Sequence, residues 1–200
     1  MIMQESDYLV VPSDPTNEIR MQRDGFFFAD RTVKTTISLS KITVDLNRFI
    51  RLPIVETTDF KSDILHIAKT AFVYDRRFHV KPDLNSATAS VVLKQWVQEL
   101  DKVFVALFKE QPIGFLALRK TAQDTLFVHL AAVEEKYRIT GAAMALYANA
   151  CKVAKERGYK KLEGRVSTQN TSVMNDVYAT FGAMFSEPQD VFIKEVRNDA

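Results

Sequence analysis

The stretch Leu130–Tyr159, LAAVEEKYRITGAAMALYANACKVAKERGY, decides how the rest of this chain is read. It opens as the end of an apolar strand, crosses a short charged connection and enters a helix at Gly141. A chain that only needed to start a helix would use Ser or Asp at the cap. Here the entry is Arg138-Ile139-Thr140-Gly141-Ala142-Ala143, with no acidic residue to complement the helix dipole. The first N–H groups of a helix lack internal partners and carry the positive end of the dipole, so phosphate oxygens fit there. Lys136 and Arg138 flank this end, Gly141 lets ligand atoms approach the backbone, and Ala142 and Ala143 keep side chains out of the way. A plain strand-to-helix turn fits the same spacing. The Gly-Lys-Ser/Thr of a phosphate loop is absent, and a single glycine is too few for the dinucleotide fingerprint.

Working outward, TLFVHLAAV (125–133) reads as the strand that feeds this turn. KVFVALF (102–108) and IGFLALR (113–119) read as two more strands, joined by the tight turn KEQP with Pro112. The helix that starts at Gly141 runs to residue 157, with Lys155 and Arg157 in its last turn and Gly158 as its stop. YKKLEGRVS (159–167) is a strand, TSVMNDVYATFG (171–182) a helix ended by Gly182, and VFIKEV (191–196) a closing strand. Before residue 100 the signals are shorter. YLVV (8–11) is an apolar run stopped by Pro12, and DPTN (14–17) is turn chemistry. The run from Gly25 holds two extended pieces, of which TVKTTISLS alternates as a half-exposed strand. DFKSDILHIAKTAF (59–72) spaces Ile64, Leu65, Ile67, Ala68 and Ala71 as one helix face. SATASVVLKQWVQEL (86–100) is a second helix with Val92, Trp96 and Leu100 on one side. These elements predict a mixed α/β fold, and no composition break marks a linker.

Two hundred residues, 46% hydrophobic and 26% charged, suffice to bury a core. A net charge of +2 disfavours wholesale nucleic-acid binding but leaves room for a local basic site. The lone Cys151 excludes an intrachain disulfide; in an apolar helix it reads as a packed thiol rather than a nucleophile. Metal-site spacing is absent, and neither a signal peptide nor a membrane span is visible, so a reduced cytoplasmic compartment is the expectation.

The quoted stretch resembles the acetyl-coenzyme A motif of the GNAT acetyltransferase superfamily. That motif runs Arg/Gln-x-x-Gly-x-Gly/Ala, matched by Arg138, Gly141 and Ala143. TQNTSVMNDVYATFGAMF (168–185) resembles the second signature, an Asn followed by a Tyr and then a Gly, with Tyr178 and Gly182 at the usual spacing. Asn170 stands one residue earlier than that pattern, and Thr171 occupies the expected position. GFFFADRTVKTTISLSK and RFHVKPDLNSATASVVLKQWV resemble the branch that acetylates an amino group on a nucleotide-linked sugar, the TDP-fucosamine acetyltransferases.

The resemblance implies a GNAT fold, a central, mostly antiparallel mixed sheet flanked by helices. It implies one domain over 1–200, with 1–100 on the acceptor side and 101–200 forming the acetyl-CoA-binding core. The implied reaction is acetyl transfer from acetyl-CoA to the primary amine of a nucleotide-linked amino sugar. Backbone from Arg138 through Ile139, Thr140, Gly141 and Ala142 to Ala143 would bind the diphosphate, with Asn170 and Thr171 nearby. Ala131, Ala132 and Val133 would pair with the pantetheine arm, since small side chains leave a slot. Tyr178 would be the general acid, because a phenol of ordinary pKa about 10 is protonated at neutrality and can donate to the leaving thiolate. A core tyrosine with its hydroxyl at the surface is the other reading of Tyr178. His129 is the candidate base or else a packed or surface histidine; alternation places it opposite Val128 and Leu130. Arg77 and Phe78, in RRFHV (76–80), would line the acceptor site or lie on a plain surface loop. A peptide amine or other small amine as acceptor, and acyl-CoA binding without chemistry, stay open, as does the oligomeric state, a homodimer included.

Overall fold

The apolar runs pair into one eight-stranded sheet, and what that sheet joins and leaves unjoined positions everything else. The computed structural model describes residues 8–71, 97, 98, 100 and 103–194. Its strands are β1 (Tyr8–Pro12), β2 (Phe27–Ser38), β3 (Ile54–Thr57), β4 (Val103–Phe108), β5 (Gln111–Ala122), β6 (Thr125–Val133), β7 (Lys161–Ser167) and β8 (Met184–Ile193). They lie in the order β1-β8-β2-β7-β6-β5-β4-β3. Every pairing is antiparallel except β6 with β7. This is the mixed, mostly antiparallel α/β sheet that the resemblance implies.

Helices cover both faces. α1 (Pro15–Arg23) follows β1, α2 (Lys61–Ala71) follows β3, and α3 (Ala142–Glu156) follows β6. A short π turn, α4 (Val173–Tyr178), follows β7. The face of α3 carrying Ala142, Leu146, Tyr147, Ala150, Cys151 and Ala154 buries against Phe104, Leu116, Leu126 and Val128. Six alanines among its fifteen residues explain why the helix forms and lies close to the sheet: alanine loses no side-chain entropy and adds little bulk. On the other face, Ile64, Ile67 and Ala68 of α2 pack on Val105, Phe115 and Ala117. Val97 and Leu100 join that cluster, which agrees with the burial expected of Leu100; the remainder of the helix expected over 86–100, Trp96 included, lies outside the described residues.

Three local expectations are corrected. Asp14-Pro15-Thr16-Asn17 does not form a turn. The Asp14 carboxylate accepts from the Thr16 amide at 2.6 Å, Pro15 sits in the first helical turn, and α1 follows. These residue types also open helices, and burial of Met21 decides in favour of the helix. The turn between β4 and β5 is only Lys109–Glu110, both at positive φ, so Pro112 lies inside β5. β8 begins at Met184 rather than residue 191, because its exposed first half pairs with Thr36, Thr35 and Lys34 of β2. No helix among the described residues is long and apolar enough to cross a membrane.

Candidate active site

β6 and β7 are hydrogen-bonded only through Thr125–Lys161, Leu126–Leu162 and Phe127–Glu163. Beyond those pairs β6 continues to Val133 beside β5, and β7 continues to Ser167 beside β2. The two strands therefore part, and a gap opens in the middle of the sheet. The β5–β6 register jumps from Ala117–Leu130 to Leu118–Val128, which leaves His129 as a bulge. The bulge corrects the alternation expected around His129. Val128 packs in the α3 cluster and Leu130 in the α2 cluster, so they lie on opposite faces of the sheet. His129 is half-buried at that irregularity, on the strand that borders the gap.

Past the bulge the ladder is regular again. The Glu134 amide donates to the Ile113 carbonyl, so the even-numbered residues of this segment bond to β5. By the period of two, the main-chain groups of Ala131 and Val133 turn away from β5 toward the gap. An edge of unpaired N–H and C=O groups is what an extended amide-bearing arm needs for pairing. Ala132 belongs to the β5 side of that alternation and packs beside the α2 cluster.

The strand then leads into a 3₁₀ turn, Glu135–Thr140, and Gly141 at φ +78°. That left-handed backbone is why a glycine stands here; no protein atom lies within 4 Å of a Cβ built on it. The 3₁₀ bonding engages amides within Arg138–Thr140, and the Thr140 hydroxyl donates to the Tyr137 carbonyl at 2.6 Å. No side chain caps α3. The open donors are accordingly the first-turn amides of α3, from Ala142 and Ala143 onward, four residues later than the Arg138 amide. Arg138, Ile139 and Thr140 are exposed, Ile139 at 96%, so this helix end faces solvent. Lys136 is held by Glu134 at 2.8 Å, which leaves Arg138 as the cation whose side chain has no ion-pair partner among the described residues.

On the other side of the gap stands Tyr178. The π turn, with the Ala179 amide bonded to the Met174 carbonyl, inserts an extra residue and rotates the residues after it by about 100° relative to an α-helix. Tyr178 is 3% exposed. A Cβ built on Gly164 would stand 3.1 Å from the Tyr178 hydroxyl, 3.2 Å from Thr35 Oγ1 and 3.5 Å from the Val128 Cβ. Gly164 and Val128 are the residues just beyond the last β6–β7 pair, so the hydroxyl sits at the apex of the gap. Thus the hydroxyl as well as the ring is buried. The Tyr147 hydroxyl of α3 lies 3.0 Å from it, and the rings meet edge to face. Phe185 of β8 packs edge-on against Tyr178 as well.

Burial pushes the Tyr178 phenol above its ordinary value, and the Tyr147 hydroxyl opposes that by favouring the charged form. Thr35 favours the charged form too, although its buried Oγ1 makes no hydrogen bond of normal geometry. Tyr147 is held well above the ordinary value, first by burial and then by the charge that Tyr178 would carry. Cys151, one turn along α3 from Tyr147, is pushed up to about 12 by burial, which suits an inert packed thiol. Both phenols favour the protonated form when folded, so they contribute stability below the unfolded value of about 10 that is lost as pH rises beyond it. Alkaline titration is therefore expected to show two late tyrosines, Tyr147 ionising only with unfolding, read from phenolate absorbance against circular dichroism.

The remaining expected residues divide. Asn170 Oδ1 accepts from the Val173 amide at 3.4 Å, a capping contact, and Thr171 is exposed at the start of the helical segment. Arg77 and Phe78 lie outside the described residues. Tyr147 and Thr35 were not singled out from the sequence. A tyrosine on the apolar face of an alanine-rich helix is the signal that was present, since a buried phenol needs a partner. A cavity of about 460 Å³ lined by Glu56, Phe104, Arg157 and Tyr159 lies elsewhere, beside the C-terminal end of α3. It is roughly 20 Å along the helix from Gly141 by the rise per residue, and an Arg157–Glu56 ion pair sits in its wall.

A family model described as the acetyltransferase (GNAT) family matches residues 63–182. Solved structures share the fold. A conserved protein of unknown function from Staphylococcus epidermidis superposes with TM-score 0.65 at 16% identity, covering 95% of this chain and 73% of that one. A GCN5-related N-acetyltransferase from Sphaerobacter thermophilus gives 0.63 at 16% identity, covering 96% of this chain and 60% of that one. A GCN5-related glucosamine N-acetyltransferase region of a fungal multi-domain β-N-acetylglucosaminidase gives 0.60 at 14%, covering 92% of this chain and 24% of that one. Comparison with curated proteins finds no match to the sequence.

Proposed function

The chain belongs to the acetyltransferase (GNAT) family of acyltransferases, whose acetyl donor is acetyl-CoA, and from that premise we propose that it acetylates the primary amine of a nucleotide-linked amino sugar. The observation that carries the reaction is the Tyr178 hydroxyl at the apex of the β6–β7 gap, buried and held protonated. Acetyl-CoA would lay its diphosphate on the open first turn of α3, beside Arg138. Its pantetheine arm would pair with the edge of Ala131–Val133, which points the thioester into the gap.

The acceptor nitrogen, as the free amine, attacks the thioester carbonyl carbon and forms a tetrahedral intermediate. The C–S bond then breaks, and Tyr178 gives its proton to the departing thiolate. The nitrogen sheds one proton, which returns through water or His129 to the phenolate. The net change is amine plus thioester to amide plus thiol, and the tyrosine is restored. His129 suits the base role by its place on the strand beside the gap. Asn170 and Thr171, at the start of the segment after β7, would stand near the coenzyme.

The amino-sugar acceptor rests on the resemblance of the first hundred residues, with Arg77 and Phe78 as the groups that would meet its phosphate and base or sugar. The fold also serves an amino-sugar acceptor in the fungal glucosamine N-acetyltransferase region. On this reading residues 1–200 act as one domain, with 1–100 forming the acceptor side, and the enzyme works in the cytoplasm. The test is incubation with acetyl-CoA and a panel of TDP- and UDP-linked amino sugars, peptide amines and polyamines, followed by mass spectrometry. An acetylated nucleotide sugar is the expected product. Product from peptide amines or polyamines alone would overturn the acceptor. No product despite calorimetric uptake of acetyl-CoA would overturn catalysis altogether.

A further inference from the structure

Two buried hydroxyls beside the acid have no part in the transfer steps. Tyr147 Oη lies 3.0 Å from Tyr178 Oη, and Thr35 Oγ1 is fully buried without a hydrogen-bond partner, facing the same spot beside Gly164. A hydroxyl pair has one proton between its oxygens, so the direction of that bond decides where the other proton goes. If Tyr178 donated to Tyr147, the acid's proton would point into α3, away from the gap. The Tyr147 proton would then be buried with no described acceptor, a costly arrangement. If Tyr147 donates, each proton has a use. The Tyr178 proton is free to face the gap, where Thr35 Oγ1 is the neighbouring acceptor until a thiolate arrives.

We infer that Tyr147 is a positioning residue for the reaction: its hydroxyl donates to Tyr178 Oη, aims the Tyr178 proton into the gap, and stabilises the phenolate left when that proton departs. This rests on the reading of Tyr178 as the general acid. Balance is unchanged, since Tyr147 keeps its own proton throughout and only shares it more strongly with the phenolate. A hydrogen bond to a developing charge is stronger than one between neutral groups. The titratable group packed against the pair is Cys151 on α3, a protonated thiol. Lys34 and Glu163, next in sequence to Thr35 and Gly164, project to the opposite face of the sheet and pair with each other. Tyr147 is therefore the one described hydrogen-bond donor to Tyr178 from the helix side.

The experiment compares Tyr147→Phe, Tyr178→Phe and the double variant, using acetyl-CoA with the best acceptor of the amine panel and following thiol release against pH. Tyr147→Phe is expected to lower kcat by about tenfold or somewhat more, the strength of one bond to a charge. The KM for acetyl-CoA should stay within about twofold, because the diphosphate and arm contacts are untouched. The alkaline limb of the kcat profile should move to higher pH, since the phenolate loses its donor. In the Tyr178→Phe background the same change should cost nothing further, as expected of residues that act as a unit.

Should Tyr178→Phe lose activity while Tyr147→Phe keeps the parent kcat and pH profile, the inference fails and the acid assignment stands. An equal extra loss in both backgrounds would mark a merely structural role and would also overturn it. Full activity in Tyr178→Phe, or no turnover with any amine, removes both readings together. If Tyr147→Phe does not fold, the wild type still decides by NMR with tyrosine labelled at Cζ. The accepting phenol must ionise first, so Tyr147 ionising before Tyr178 would sink the assignment.

Discussion

Tyr178→Phe is expected to lower kcat by about a thousandfold, within the range for loss of a positioned general acid, while the KM for acetyl-CoA changes little. The substitution removes one oxygen and leaves the ring, so the edge-to-face contacts with Tyr147 and Phe185 persist. Without the proton, the tetrahedral intermediate must expel a bare thiolate into a gap lined by Val128 and Gly164. The effect should be largest for acceptors whose amine re-forms readily from the intermediate, because collapse backward then competes with expulsion of sulfur. A pH profile gives a second check. Burial raises the Tyr178 phenol, so the acid form persists past neutrality. The parent rate should therefore fall only as pH climbs above the ordinary phenol value of about 10. In the variant that alkaline limb should vanish. The control is stability: deleting the Tyr178 hydroxyl leaves the Tyr147 hydroxyl buried without a partner, at a cost of roughly 1–3 kcal/mol. Kinetics must be read well below the lowered Tm, and circular dichroism at the assay temperature separates lost chemistry from lost fold. A variant that is folded and fully active would leave the acid role without an occupant.

The parts of this arrangement that local chemistry determines were legible in the sequence. β6 lies where TLFVHLAAV placed it, and α3 spans Ala142–Glu156 against an expected 141–157, because its apolar spacing, its glycine entry and its basic last turn all agree. What escaped depends on partners distant in the chain. The bulge at His129 exists only relative to β5, and strict alternation gives no hint that Val128 and Leu130 part to opposite clusters. β3 (IVET) is too short to announce itself and is held by pairing with Val103–Ala106. The exposed start of β8 lacks an apolar face, yet β2 supplies its ladder. TSVMNDVYATFG reads as an ordinary helix, and nothing in it signals the π turn that rotates Tyr178 toward Tyr147. The side chain proposed as the acid was therefore recognisable from its motif. Its burial, its partner and its place at the apex of a parted sheet required the fold.

Ala143→Glu is expected to move stability and coenzyme affinity in opposite directions. Ala143 lies in the first turn of α3, half-buried, after an N-cap glycine that offers no side-chain bond. A carboxylate there complements the helix dipole, worth about 0.3–1 kcal/mol, so Tm should hold or rise slightly. The same carboxylate occupies the field that a diphosphate would use. It neutralises the positive helix end and adds repulsion against a dianion, about 1 kcal/mol per charge pair at contact in water and more where the helix end is partly shielded. Together these amount to roughly 2–3 kcal/mol, or about a hundredfold weaker acetyl-CoA binding. Isothermal calorimetry gives the Kd, and thermal melting gives the Tm on the same sample. Raising the salt concentration should narrow the difference, since exposed charges are screened over about 10 Å at ordinary ionic strength. Ala143→Gln carries similar bulk without the charge, and it should cost far less affinity if electrostatics is the cause. An unaltered Kd in Ala143→Glu would mean that the diphosphate does not rest on this helix end. The gap between β6 and β7 would then have to be filled from another direction.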